Sequence, residues 1–269
     1  MKAWLHSQLF GGTTRGGAGC RGMKSTPLRA APLALAASFA LTGCATLFGP
    51  TNPYAVDRKG DLVEYNYAWS AEASAVPVLV RRLQSDLETL FTAATSRAQA
   101  DRAAAKAANR PFVGHQFNRR WTTAGQSPRL LSLYAETLLF TGGANPSHVA
   151  DALIWDRLAR REVRPERLFR AKASIDRLVH ANFCRILEGE RVKRVAPVQA
   201  GNCPELDKLA VLPADSDGDR RFDRFRLVAP HGVAGGYAEG RYDIAVALTP
   251  QIRAALRPEY RSSFEVQPQ

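Results

Sequence analysis

The sequence lacks the short motifs by which most enzymes are recognised. It has five histidines in 269 residues, and none lies in a Gly-x-Ser-x-Gly, His-Glu-x-x-His or Cys/His context. Ser147-His148 comes nearest to a catalytic pair, but adjacent residues on a strand point to opposite faces. A glycine loop of the phosphate-binding kind is also missing. These absences predict no catalytic residues and a chain that is not an enzyme.

The chain also lacks an apolar run long enough to span a bilayer as a mature helix. Ala30 to Leu41 is an uncharged apolar run of 12 residues, and basic residues precede it at Lys24 and Arg29. Leu41-Thr42-Gly43-Cys44 follows and is similar to a bacterial lipobox. We therefore predict a leader over residues 1–43 and lipidation of Cys44, which anchors the chain to a membrane. The alternative is an ordinary signal peptide with an incidental cysteine.

The start of the chain fits a leader poorly, because residues 1–22 are glycine-rich and precede a better start at Met23. We therefore predict Met23 as the initiator. Ala45 follows the lipobox cysteine, and its similarity to lipoprotein sorting rules implies the outer membrane, facing the periplasm. Residues 44–60 are predicted to be a lipidated tether, since prolines and glycines oppose regular structure there.

Acidic residues are absent from the leader, which holds five of the Lys and Arg residues. The formal charge of the whole chain is +12, which leaves +7 on the remainder. A basic domain suits anionic lipid, lipopolysaccharide or acidic polymers, although a solvated basic surface without a partner is the alternative. Nucleic acid is not an expected partner outside the cytoplasm.

The hydrophobic pattern predicts an α+β fold. Arg129 to Phe140 has apolar residues on both faces, as in a strand that is covered on two sides. A long helix is predicted from Pro77 to about Ala108, and a second helix from Ala171 to Leu187. We expect antiparallel sheets packed against these two helices in two closely joined halves, residues 61–169 and 170–269.

Two glycine-containing segments carry a resemblance. Phe140-Thr141-Gly142-Gly143-Ala144-Asn145-Pro146 resembles a "Tyr-Thr-Gly-Gly-Ala-His" signature, and Gly236-Tyr237-Ala238-Glu239-Gly240 resembles "Pro-Tyr-Ala-Glu-Gly". Both signatures belong to a bacterial family of extracytoplasmic domains of unknown function. Its members include the sensor region of a lysozyme-responsive anti-sigma factor and the non-catalytic front part of a peptidoglycan deacetylase. Asn145 and Gly236 depart from the family pattern, which has His and Pro at these places.

The resemblance implies a non-catalytic envelope domain that binds peptidoglycan or a wall-active protein. The alternatives are a structural tether for another periplasmic protein and a peptidoglycan-modifying enzyme. The predicted ligand surface joins the two signatures through Thr141, Gly142, Gly143, Asn145, Tyr237 and Glu239. Glycine turns let backbone N–H groups approach a ligand, but these glycines could equally do no more than shape tight turns.

Two further sites are predicted from polar side chains. Cys184 and Cys203 are expected to form a disulfide in an exported chain, and the alternative is a metal site with His180. The segment 215–223 resembles a calcium loop of the EF-hand kind, with Arg220 and Arg226 where that loop wants Gly and Glu. A solvated turn is the alternative there. The predicted calcium ligands are Asp215, Asp217, Asp219 and Asp223.

Overall fold

The structure, a computed structural model, describes residues 52–171, 173–194 and 201–267. In these ranges the larger sheet has six strands in sequence order, and the smaller sheet has three. The larger sheet contains β1 (Tyr54–Lys59), β2 (Val63–Trp69), β3 (His115–Gln126), β4 (Leu130–Phe140), β5 (Ser147–Asp156) and β6 (Arg161–Glu162). The smaller sheet contains β7 (Ala210–Ala214), β8 (Arg224–Ala229) and β9 (Tyr242–Ala247). The α-helices are α1 (Ala71–Ser74), α2 (Pro77–Ala107), α3 (Ala173–Ile175), α4 (Ala181–Arg194) and α5 (Pro250–Ala255).

Helix α2 covers one face of the larger sheet. It begins with Pro77 in its first turn, and its buried stripe includes Leu79, Leu83 and Leu87. The Tyr65 hydroxyl of β2 donates a hydrogen bond of 2.8 Å to the Leu87 carbonyl. Strands β2 and β3 run parallel, and α2 forms the long crossover that a parallel pair needs. The other strand pairs that the structure describes are antiparallel.

Strand β4 is the inner strand predicted from the sequence. It pairs with β3 on one side and β5 on the other. Leu131 and Leu133 face the core under α2, while Leu130 and Tyr134 face the opposite side. Burial is complete in the first half of β4 and decreases towards Phe140. The outer face of the sheet therefore opens where β4 ends.

The smaller sheet covers only the first part of that outer face. Leu212 of β7 and Val228 of β8 pack with Tyr134 and Ala150 of the larger sheet. The Ser132 hydroxyl donates a hydrogen bond of 2.6 Å to the Pro213 carbonyl, which joins the two sheets at β4 and β7. As a result the outer face is buried at one end and accessible at the other.

The second helix is longer than predicted. Helix α3 continues through a π-helical turn, Asp176–His180, into α4, which ends at Arg194. Cys184 therefore lies well inside the helix, whereas a helix that ended at Leu187, as predicted, would have placed it in the last turn. The chain beyond Leu187 stays helical because buried Arg191 holds neighbouring carbonyls.

The prediction of an irregular tether up to residue 60 is also wrong in part. Residues 54–59 form β1, which pairs antiparallel with β2 along its whole length. The Tyr54 ring stacks on Trp69 with centroids 4.0 Å apart, and the Arg58 guanidinium lies over the Phe91 ring. These contacts compensate for the weak strand signal in the sequence.

The predicted fold class is confirmed: antiparallel-rich sheets pack against one long helix and one of medium length. The first sheet precedes Phe169 in sequence and the second follows it. None of the helices in the described ranges combines the length and the apolar character needed to cross a bilayer.

Candidate functional site

The two signature segments meet in space. The Tyr237 hydroxyl donates a hydrogen bond of 2.9 Å to the Pro146 carbonyl, although the two residues are 91 positions apart. Gly142 has a φ of 83° and Gly240 a φ of 78°, so each segment uses a glycine in the left-handed region. We call residues 141–146 and 236–240 together the signature junction.

The predicted site residues differ in their availability at the signature junction. Thr141, Gly142, Gly143 and Asn145 are exposed, and Tyr237 is 38% exposed. The Glu239 carboxylate instead accepts hydrogen bonds from the Gly236 N–H at 2.5 Å and from the Tyr242 hydroxyl at 2.6 Å. These bonds hold the pKa of Glu239 below its usual range. Glu239 therefore shapes its own loop.

Two histidines lie beside the signature junction. The rings of His148 and His231 stack with centroids 4.0 Å apart, and the Tyr237 ring lies 5.3 Å from His231. The Nδ1 atoms of both histidines are buried and have no hydrogen-bond partner among the described residues. Burial lowers the pKa of His231, and the nearby His148 lowers it further. Sequence reasoning missed this pair, because its members are 83 positions apart.

An open groove lies on the outer face of the larger sheet, and the ring of its lining residue His148 is 6.2 Å from the Tyr237 ring of the signature junction. Its cavity volume is about 520 Å³. Strands β2 to β5 supply its floor, with side chains that alternate with those packed under α2. The lining residues include Glu64, Asn66, Gln116, Asn118, Arg120, Thr122, Tyr134, Glu136, Leu138 and His148. We call this cavity the outer-face groove.

Several polar side chains on the groove floor have no side-chain partner within the described residues. Among the described residues, no side-chain hydrogen bond or ion pair involves Asn66, Asn118 or Arg120. The Glu136 carboxylate is held by the Arg241 guanidinium at 2.5 Å, and its Oε1 lies 3.8 Å from the His148 Nδ1. Within the described chain no Ser, Thr or Cys side chain hydrogen-bonds to His148 or His231.

The sequence does contain a signal for the polar floor of the outer-face groove. Glu64 and Asn66 alternate with the aromatic row of β2, and Gln116 and Asn118 alternate with Phe117 in β3. Each alternation shows that one face of its strand is polar. The sequence does not show that α2 brings these two polar faces side by side, and this pairing creates the groove.

The disulfide is present as predicted. Cys184 and Cys203 are bonded, with Cα atoms 5.5 Å apart. The His180 Nε2 lies 3.6 Å and 3.7 Å from the two sulfurs and 2.8 Å from the Pro204 carbonyl oxygen. The three residues of the alternative metal site are thus adjacent, but both sulfurs are used in the disulfide.

The acidic loop brings three of its four predicted ligands together. Oxygens of Asp215, Asp217 and Asp219 lie within 4.8 Å of one another. Asp223 is separate: its carboxylate accepts from the Ser216 hydroxyl at 2.5 Å and pairs with Arg224 at 2.8 Å. Burial raises the pKa of Asp223, but these two partners outweigh burial and hold it below its usual range.

The loop carboxylates also hold their own backbone. Asp215 accepts hydrogen bonds from the N–H groups of Gly218 at 2.7 Å and Arg220 at 3.1 Å. Such contacts stabilise an Asp-rich turn without a cation. Calcium binding at this loop stays a prediction. The lipidation site Cys44 lies outside the described residues.

No protein-family model matches this chain, and no curated protein matches it. Among solved structures, it is similar to a DUF3298 family protein of Pseudomonas aeruginosa PAO1, with a TM-score of 0.45 and 13% identity over 78% of this chain and 96% of the other. It is also similar to a DUF3298 family member of Bacteroides fragilis NCTC 9343, with a TM-score of 0.43 and 12% identity over 78% and 95%. A likeness of this size carries no functional information. Both structural neighbours belong to a bacterial domain family of unknown function.

Proposed function

We propose that the protein is a non-catalytic envelope lipoprotein that binds a cell-wall glycan or a wall-active protein. The observation that supports this best is the outer-face groove, which carries polar side chains without partners among the described residues and has His148 beside Tyr237 of the signature junction. Buried polar groups are normally paired, and exposed ones that converge on a concave surface are typical of a binding site. The resemblance of the signatures to extracytoplasmic sensor and wall-enzyme domains favours the same class of ligand.

The proposed address follows from the lipobox at Cys44, which supplies a lipid anchor in the outer membrane. Two or more acyl chains are needed for stable anchoring, and bacterial lipoproteins meet this requirement. Globomycin treatment should leave a precursor of higher mass, and mass spectrometry should find acyl groups on Cys44. An unmodified Cys44 in a cytosolic product would contradict the proposed address.

A wall-active protein is the second form of the proposal. We do not extend lysozyme recognition from the sensor domains that this chain resembles to the chain itself, because Asn145 stands where the family signature has His. The formal charge of +7 would also repel strongly basic lysozymes at long range and slow their encounter.

A pull-down of the purified protein on insoluble peptidoglycan, with lysozyme tested in parallel, separates these forms. We expect retention on one of them, weakened by the double substitution Asn118→Ala and Tyr237→Ala. The matched control is Gln84→Ala, an exposed amide on α2 at the other side of the sheet. Binding to neither would favour a structural tether, and turnover of a muropeptide would show an enzyme.

A further inference from the structure

The floor of the outer-face groove has a regular layout that bears on its ligand. Asn66 of β2 pairs in register with Asn118 of β3, Asn118 with Leu138 of β4, and Leu138 with His148 of β5. Neighbouring strands are about 4.8 Å apart, so this row is about 14 Å long. Two carboxamides, one aliphatic side chain and one imidazole ring therefore follow one another across the sheet.

The carboxamides on this floor offer both donors and acceptors. Asn118 and Gln116 are exposed and Asn66 is partly exposed, and none of the three has a side-chain partner among the described residues. Each side chain can donate through its NH₂ group and accept through its carbonyl oxygen. A ligand that itself carries both a donor and an acceptor at one point would use these groups most fully.

The charges on the groove are balanced in sign. Arg120 and Glu64 are both without an ion-pair partner among the described residues, and Glu136 is neutralised by Arg241. A polyanion would meet the carboxylates of Glu64 and Glu136 here, and a polycation would meet Arg120 in the groove and Arg241 beside Glu136. Since a site for a charged polymer needs a charge of one sign, the groove favours a ligand without net charge.

The backbone of the floor is not available to a peptide. Strands β2, β3 and β4 each pair on both sides, so their N–H and C=O groups are used within the sheet. A peptide that binds by adding a strand needs an open sheet edge. On this face only side chains can contact a ligand, which suits a molecule with discrete polar groups and apolar ring faces.

We propose that the outer-face groove binds a neutral oligosaccharide that carries acetamido groups. The acetamido N–H and C=O pair with the carboxamides of Asn66 and Asn118, its methyl group lies on Leu138, and a sugar ring packs on the His148 imidazole. This inference rests on the proposed binding function and names the ligand class of that same site.

Calorimetric titration of the purified full-length protein tests this inference with three soluble tetramers. They are the β-1,4 tetramer of N-acetylglucosamine, its de-N-acetylated cationic form, and cellotetraose, which has the same backbone without acetamido groups. We expect the acetylated tetramer to bind at least about tenfold more tightly than the other two, which corresponds to about one hydrogen bond. Asn66→Ala and Asn118→Ala should each weaken that binding by about tenfold, and Gln84→Ala should leave it unchanged.

Equal binding of cellotetraose, or undiminished binding by both asparagine variants, would overturn the acetamido assignment. Failure to bind any tetramer while insoluble peptidoglycan still retains the protein would overturn it too, and the broader proposed function would stand. Binding of free wall peptides in place of the sugars would contradict the inference in the same way. Unfolding temperatures of the variants check that the substitutions leave the fold intact, which these partly or fully exposed positions predict.

Discussion

His231 is the side chain at the candidate site whose protonation the fold changes. Burial and His148 lower its pKa, Arg241 acts in the same direction, and Glu136 opposes them. The unfolded chain therefore takes up a proton first as the pH falls below about 6.5, and the free energy of unfolding should fall there. Above that pH both states are neutral at this residue, and its contribution is constant.

The pH effect of His231 is measurable by NMR titration of the ring resonances and by urea unfolding at about pH 7.5 and about pH 5.5. We expect His231 to titrate below its ordinary value and His231→Gln to reduce the loss of stability between the two pH values. A ring that titrates at or above the ordinary value would show that the imidazole is not held in this buried stack.

Tyr237→Phe isolates the hydrogen bond between the two signature segments. The hydroxyl donor to Pro146 is lost while the ring is kept, so the free energy of unfolding should fall by no more than about 1 kcal/mol at this partly exposed position. Retention on peptidoglycan or lysozyme should fall more clearly, because the segment 141–146 loses its tie to the loop. Urea unfolding and the pull-down give the two values, and unchanged retention would remove Tyr237 from the site.

At the residue scale the sequence predicted the members of the signature junction but not their partners. Tyr237 and Asn145 were found through a local pattern. No local pattern reveals Asn66, Asn118 or His231. Each is an ordinary polar residue until strand pairing or contact between loops places it beside another polar residue. Glu239 was predicted as a ligand contact, yet its carboxylate is bonded within its own loop.

Helix α4 is tied to the rest of the molecule through Arg191. This buried guanidinium donates to the carbonyls of Ala234 at 2.8 Å, Gly201 at 2.6 Å and Asn202 at 3.2 Å. Arg191→Met keeps the length of the side chain but leaves these acceptors unpaired, and should lower the free energy of unfolding by about 2 to 4 kcal/mol. Urea unfolding measures this loss, and exposed Lys193→Met on the same helix should change stability by less than about 0.5 kcal/mol.

The disulfide ties the same helix to the segment before β7. The two cysteines are 19 positions apart, and a loop of this size predicts a stabilisation of about 3 kcal/mol. The double substitution of Cys184 and Cys203 by Ser should lower the urea midpoint accordingly, and a reductant should lower it in the natural protein but not in the variant. Equal midpoints in all samples would show that the bond is absent in solution.

At the scale of elements, strong periodic signals gave correct predictions. Helix α2 and strand β4 lie within one residue of their expected bounds, because Pro77 and a continuous apolar run mark them clearly. Strand β1 was missed, since its stability comes from pairing with β2 and from the stacking of Tyr54 on Trp69. The second helix was predicted too short, because its last turns depend on Arg191 and not on an apolar stripe.

For the whole molecule, the fold class could be predicted and the arrangement of the sheets could not. Alternating strands around two amphipathic helices indicate an α+β fold. The placement of β7 and β8 over Tyr134 and Ala150 depends on contacts between residues far apart in sequence. That placement covers the outer face at one end, leaves it open towards Phe140, and thereby creates the groove on which the proposed function depends.

The most direct test of the central claim is NMR mapping with soluble peptidoglycan fragments on the isotope-labelled protein. We predict that backbone amide shifts will change at residues 64–66, 116–122 and 136–148, with smaller changes at 231–241 and none along α2. Shift changes confined to α2 or to the disulfide region would contradict the assignment of the outer-face groove as the ligand site. An absence of shift changes in a protein that insoluble peptidoglycan retains would contradict it as well.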